Sequence, residues 1–115
     1  MQVHGPADAP FADLVRLTSV ALAAQAGLTV DGCDELRLAV DEACHALLAV
    51  DVHELDVTFL EDEETLSVSI RAKDPVDLRL DTEAELILKA TTDHFAVDRD
   101  GALVLQKRLC SPGRP

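Results

Sequence analysis

Apolar residues recur at helical spacing near the start of the chain. Phe11, Leu14, Val15, Leu17, Thr18, Ala21 and Leu22 follow an i, i+3, i+4 rhythm, which predicts an amphipathic helix stopping at Gly27, with Asp13 and Arg16 on its wet side. Pro6 and Pro10 bracket a short leader with room for a strand. After a turn at Thr29 to Gly32, Leu36, Leu38, Ala39, Val40, Ala43, Cys44, Leu47 and Leu48 cover most of the circumference of a second helix, expected to be central and largely buried. From Glu54 the period changes to two. Leu55, Val57 and Phe59 alternate with Asp56, Thr58 and Leu60, then Leu66, Val68 and Ile70 with Ser67, Ser69 and Arg71: a hairpin with Glu61 to Glu64 as its acidic tip.

Pro75 breaks the sheet pattern within Lys73 to Leu80, because proline cannot donate to a ladder. Asp81 or Thr82 can cap a third helix running through Leu86, Ile87, Leu88, Ala90 and Thr91 to about His94. A last hairpin follows: Phe95 and Val97, a turn at Asp98 to Gly101, then Leu103, Leu105 and Leu109 alternating with Val104, Lys107 and Arg108. The order is a short strand, two helices, a hairpin, a helix and a hairpin. It predicts an α/β (α+β) two-layer sandwich, a mostly antiparallel sheet covered on one face by about three helices. Residues 1–110 form one domain in this reading, and 111–115 a disordered tail.

Composition narrows the partners. Ten Lys and Arg against 22 Asp and Glu give a net charge of −12, which disfavours nucleic acid and anionic lipid and favours basic protein surfaces. No run approaches the roughly 20 apolar residues of a membrane span, and the N-terminus lacks a signal-peptide pattern, so a cytoplasmic location is expected. Cys33, Cys44 and Cys110 have no CxxC spacing and cannot all pair within one chain, which points to reduced thiols; Cys44, His45 and His53 lack the usual spacing of a zinc site. Lys107, Arg108 and Arg114 make a small basic end read as local charge balance.

The second helix carries a resemblance. LRLAVDEAC, Leu36 to Cys44, resembles the signature helix of bacterial anti-sigma regulatory factors, the serine-kinase branch of the histidine-kinase-like ATPase superfamily. VRL at Val15 to Leu17 and LILKATTDHFAVDRDGALVLQKRL at Leu86 to Leu109 extend the likeness over about residues 8–109. The resemblance implies a histidine-kinase-like ATPase fold. It also implies partner switching, in which a sigma factor and an anti-sigma antagonist compete for a regulator that is commonly a dimer, so a homodimer is among its expectations.

The chemistry of that family is largely missing. Its signature helix supplies a Glu that acts as general base or orients the attacking group and, four residues later, an Asn that ligates magnesium. Glu42 matches the Glu, but the later position is Ala46, which has no oxygen for a hard cation. Asp74 stands where an Asp would meet adenine, yet the glycines that should follow are Pro75, Val76 and Asp77. The glycine-rich phosphate turn is replaced by TEAEL, Thr82 to Leu86, which puts Glu83 and Glu85 where phosphate would sit. The lid is reduced to Pro75 to Asp81.

Glu42 and Asp74 are therefore vestigial candidates; no metal site and no cofactor are expected, and kinase activity is not expected. The leading reading is an anti-sigma-factor-like regulator of transcription acting by protein–protein binding without nucleotide, through the helical face around Arg16, Arg37 and Asp41. The alternatives are an ATP- and Mg2+-dependent serine kinase that phosphorylates an antagonist through Glu42, and a degenerate paralogue that modulates an active family member as a heteromer.

Overall fold

A computed structural model describes residues 1–109. The disordered tail expected at 111–115, together with Cys110 and Arg114, lies outside the described residues. The described chain runs β1 (Gln2–Pro6), α1 (Ala9–Gln25), α2 (Val30–Leu48), β2 (Glu54–Glu61), β3 (Thr65–Ala72), α3 (Thr82–Thr91), β4 (His94–Val97) and β5 (Leu103–Arg108). The strands form one antiparallel sheet in the order β1-β2-β3-β5-β4, the three helices supply the second layer, and the two-layer α+β sandwich expected from the pattern is present. No described helix is long and apolar enough to cross a membrane.

The strands follow their alternation. In β2, Leu55, Val57 and Phe59 are buried under the helices, and register Val57↔Ile70 and Phe59↔Val68 places them beside the buried residues of β3. The hairpin tip is held by Asp62, whose Oδ1 accepts from the Glu64 and Thr65 amides at 2.7 and 2.8 Å, and these bonds hold its carboxyl below the usual carboxylate range. Each helix has a side-chain cap at its start: Asp8 accepts from the Phe11 amide, Thr29 from Gly32 and Asp81 from Ala84. Glu83 and Glu85 stand in the first turn of α3, where they complement the helix dipole.

Four expectations need correction. The buried stripe of α1 is Phe11, Val15, Ser19 and Ala23, while Leu14 is 52% and Leu17 66% exposed and Ala21 is exposed too. Nearly every residue of α1 is small or apolar, so two overlapping stripes fit the sequence, and the i, i+4 stripe that meets the sheet is the one buried. The second helix begins at Val30, because Thr29 caps it and Gly32 already lies inside it; Leu38 on its outer side is 49% exposed. The third helix stops at Thr91, since extended backbone at Thr92 opens the way for His94 to start β4.

Lys107 is the fourth. It shares the inward parity of Leu103 and Leu105, and its side chain is only 9% exposed, with Nζ 3.3 Å from Glu35 of α2. It is an internal tie between sheet and central helix rather than part of a basic end. With the Glu35 side chain 44% exposed and the ammonium buried, the pair contributes little net stability, because desolvation of the lysine offsets the attraction. Lys107→Met is therefore expected to leave the unfolding free energy within about 1 kcal/mol of the parent, whereas Glu35→Ala, which strands the ammonium, should cost on the order of 1–3 kcal/mol. Urea denaturation of both variants checks this.

Candidate functional site

The central helix reaches its position through its inner face. Leu36, Ala39, Val40, Ala43 and Leu47 are fully buried, and this fixes the direction of every other side chain on α2. Glu42, on the side turned toward α3, lines a cleft of about 160 Å³ with His45, Ala46, Arg79, Leu80 and Asp81. Asp74 lies elsewhere. It is exposed and borders a larger cleft of about 310 Å³ formed by Asp51 to Glu54 and Ala72 to Val76. The fold thus does not bring the two candidate nucleotide-contacting carboxylates into one pocket.

Residues 73–81 border both clefts, Lys73 to Val76 the larger and Arg79 to Asp81 the smaller. Leu78 is buried at 7% exposure within the hydrophobic core, and Val76 and Leu80 pack against that core. The Val76 amide donates to the Asp100 carbonyl at 3.1 Å, tying the segment to the β4–β5 turn. Within this anchored segment Asp74 comes before Leu78 and Asp81 after it. The cleft holding Glu42 falls below the roughly 300–1,000 Å³ of ordinary small-molecule pockets. Ala46 contributes only a methyl group to that cleft and has no oxygen to offer a hard cation. Among the described residues, no three His, Cys, Asp or Glu side chains converge on a point that could hold a metal ion.

The partner-binding candidates on α1 and α2 are partly brought together. The Arg16 guanidinium donates to Asp41 Oδ1 at 2.8 Å and also to Asp13, so it bridges the two helices. Its pKa is raised above the ordinary arginine value, first by the hydrogen bond to Asp41 and further by the charges of Asp13 and Asp41. Arg37 stands exposed one turn before Asp41 and takes part in no ion pair among the described residues. Exposed Leu17 follows Arg16, and exposed Leu38 lies three residues before Asp41, so both leucines border this charged cluster on the outer side of the helix layer. The sequence reading placed Leu17 and Leu38 in the core; their adjacency to Arg16 and Asp41 was the signal that could have moved them out.

Burial and the charge of Asp41 push the Cys44 thiol up to about 12, with burial the larger cause. Cys33 is half-buried, with its Sγ 3.9 Å from the Leu28 carbonyl. At pH 8 the native protein is expected to resist alkylation at Cys44 while Cys33 reacts at an appreciable rate, and in urea both should react. Peptide-level mass spectrometry of iodoacetamide adducts checks this, and rapid native labelling of Cys44 would contradict the burial.

Comparison with known proteins finds no family model that matches the chain and no match among curated proteins.

Proposed function

We propose that this chain is an anti-sigma-factor-like regulator that acts in the cytoplasm by binding a sigma factor or an anti-sigma antagonist, without nucleotide. The observation that carries the reading is that Glu42 and Asp74 line two different clefts, the smaller of which holds Ala46 and not Asp74. Phosphoryl transfer needs the phosphates, the metal and the general base held in one arrangement, and the cleft that Glu42 lines has Ala46 in place of an oxygen ligand and does not include Asp74. What remains is a scaffold, and the LRLAVDEAC resemblance of α2 gives that scaffold its regulatory reading. The element order, with three helices on one face of the sheet and residues 73–81 as a short crossing, supports a histidine-kinase-like ATPase fold without a lid.

In this reading the contact surface is the outer side of α1 and α2 around Arg16, Arg37 and Asp41, bordered by Leu17 and Leu38. Sigma factors carry basic DNA-binding surfaces, and a chain at −12 would meet them at rates that fall with added salt. The test is affinity capture from the source cell lysate, with and without Mg·ATP, followed by identification of the bound proteins. Equal recovery of a sigma factor or an antagonist in both conditions is expected. Recovery only with Mg·ATP would return the chain to the serine-kinase reading, with Glu42 as base, and recovery of a glycine-box-bearing relative alone would favour the heteromer reading.

A further inference from the structure

We propose that Arg37 is the cation this chain presents to a carboxylate on its partner, and that Arg16 keeps it available by holding Asp41. The proposal rests on the regulatory reading of the α1–α2 surface. It divides the candidate residues there into one that touches the partner, Arg37, and two that position it, Arg16 and Asp41.

The division starts from helix spacing. Side chains four residues apart lie one above the other on an α-helix, so Asp41 is the natural ion-pair partner of Arg37 within α2. The structure pairs Asp41 elsewhere. Its Oδ1 accepts from Arg16 Nη1 of α1 at 2.8 Å, and the same guanidinium is held by Asp13, three residues back on its own helix. Two physical reasons favour this choice. A basic residue N-terminal to its acidic partner is the weaker order for a pair at this spacing. Arg16 is also the more enclosed cation, with its side chain 30% exposed, whereas Arg37 stands in solvent. Arg16 is thus engaged with two carboxylates and Arg37 with none. Asp34, the other acidic side chain within helical reach of Arg37, is likewise in no ion pair among the described residues.

An exposed guanidinium with no internal partner is suited to a carboxylate, because its planar fork matches two oxygens at once. Leu38, the next residue, is 49% exposed and offers an aliphatic contact beside it. Together they fit a partner segment that carries Asp or Glu next to an apolar side chain. A partner that is basic as a whole can still bring such a segment: the −12 charge of the chain acts at long range, while Arg37 reads one carboxylate at contact. Arg16 acts through Asp41. Without Arg16, Asp41 turns to Arg37 and competes with the carboxylate of the partner.

The competition for Asp41 can be read without a partner, from the rate at which phenylglyoxal modifies each arginine of the native full chain, followed by peptide mass spectrometry. Arg37 should react faster than Arg16. Arg16→Gln should slow Arg37 about twofold, and adding Asp41→Asn should return it to the parent rate. These pairs are exposed, so circular dichroism should stay unchanged throughout. Binding gives the second reading, with the sigma factors and anti-sigma antagonists of the source cell purified and measured by biolayer interferometry. For whichever binds the parent chain, Arg37→Gln should weaken binding about tenfold and Arg16→Gln about twofold to threefold. The Arg16→Gln/Asp41→Asn double variant should regain the affinity lost in Arg16→Gln. Removing Asp41 cannot rescue an arginine that itself touches the partner, so a double variant as weak as Arg16→Gln would overturn the proposal. So would binding indifferent to Arg37→Gln, or an Arg37 whose labelling ignores Arg16→Gln. If none of those proteins binds the parent chain, the regulatory reading falls and this proposal with it; if one binds and only the variant pattern fails, the reading stands without the proposal.

Discussion

Leu36→Ala is expected to lower the unfolding free energy by about 2–5 kcal/mol, enough to remove much of the stability of a small domain. Leu36 is fully buried at the start of the LRLAVDEAC stretch and belongs to the core that the central helix shares with the sheet. Cutting it back removes the buried methyl groups and leaves a cavity that neighbours on both layers cannot close without moving. Arg37→Ala, one residue on and exposed, should change stability by no more than about 0.5 kcal/mol. Urea midpoints of the two variants would separate the structural and surface faces of the same helix.

Gly101→Ala is expected to cost about 2–4 kcal/mol, from two causes that add. The residue has φ of +87°, which favours glycine, and an added Cβ would lie 2.6 Å from the Val76 carbonyl oxygen and 2.8 Å from Val76 Cγ2. Gly27 supplies a control. Its φ is +93° but nothing lies within 4 Å of its missing Cβ, so Gly27→Ala should show the conformational cost alone, about 1–2 kcal/mol. The excess at Gly101 measures the close approach that ties residues 73–81 to the β4–β5 turn. That tie holds residues 73–81 against the β4–β5 turn, so backbone amide shifts around Asp74 to Leu78 should accompany the lost stability.

The hairpins were legible because burial of one sheet face enforces a period of two: Leu55, Val57 and Phe59 had only one way to face the helices. The cap at Asp81 was readable from its side-chain chemistry as well, whereas Thr29 read as part of a turn and caps α2 instead. The face of α1 was not. Where most residues are apolar or small, periodicity loses its contrast, and only packing distinguishes Val15 and Ser19 inside from Leu14 and Leu17 outside. Lys107 was missed for the opposite reason: its inward parity with Leu103 and Leu105 was present in the sequence, but its charge argued for the surface until Glu35 on another element supplied a partner.

The candidate site was legible by residue type and illegible by arrangement. Residue type alone shows that Ala46 has no oxygen to offer a cation and that Glu83 and Glu85 bring negative charge to the first turn of α3. Which clefts Glu42 and Asp74 line depends on how α2 and the end of β3 are placed in the fold, a tertiary outcome that no short window of sequence encodes.

The most direct test of nucleotide-independent binding is an amide chemical-shift map of the isotopically labelled protein, titrated first with Mg·ATP and then with the captured sigma factor or antagonist. The account predicts no saturable shifts from Mg·ATP at Glu42, Ala46 or Asp74, and partner-induced shifts centred on Arg16, Arg37 and Asp41 whether or not Mg·ATP is present. Saturable ATP-induced shifts spanning both Glu42 and Asp74, or a partner footprint that forms only with nucleotide, would contradict it.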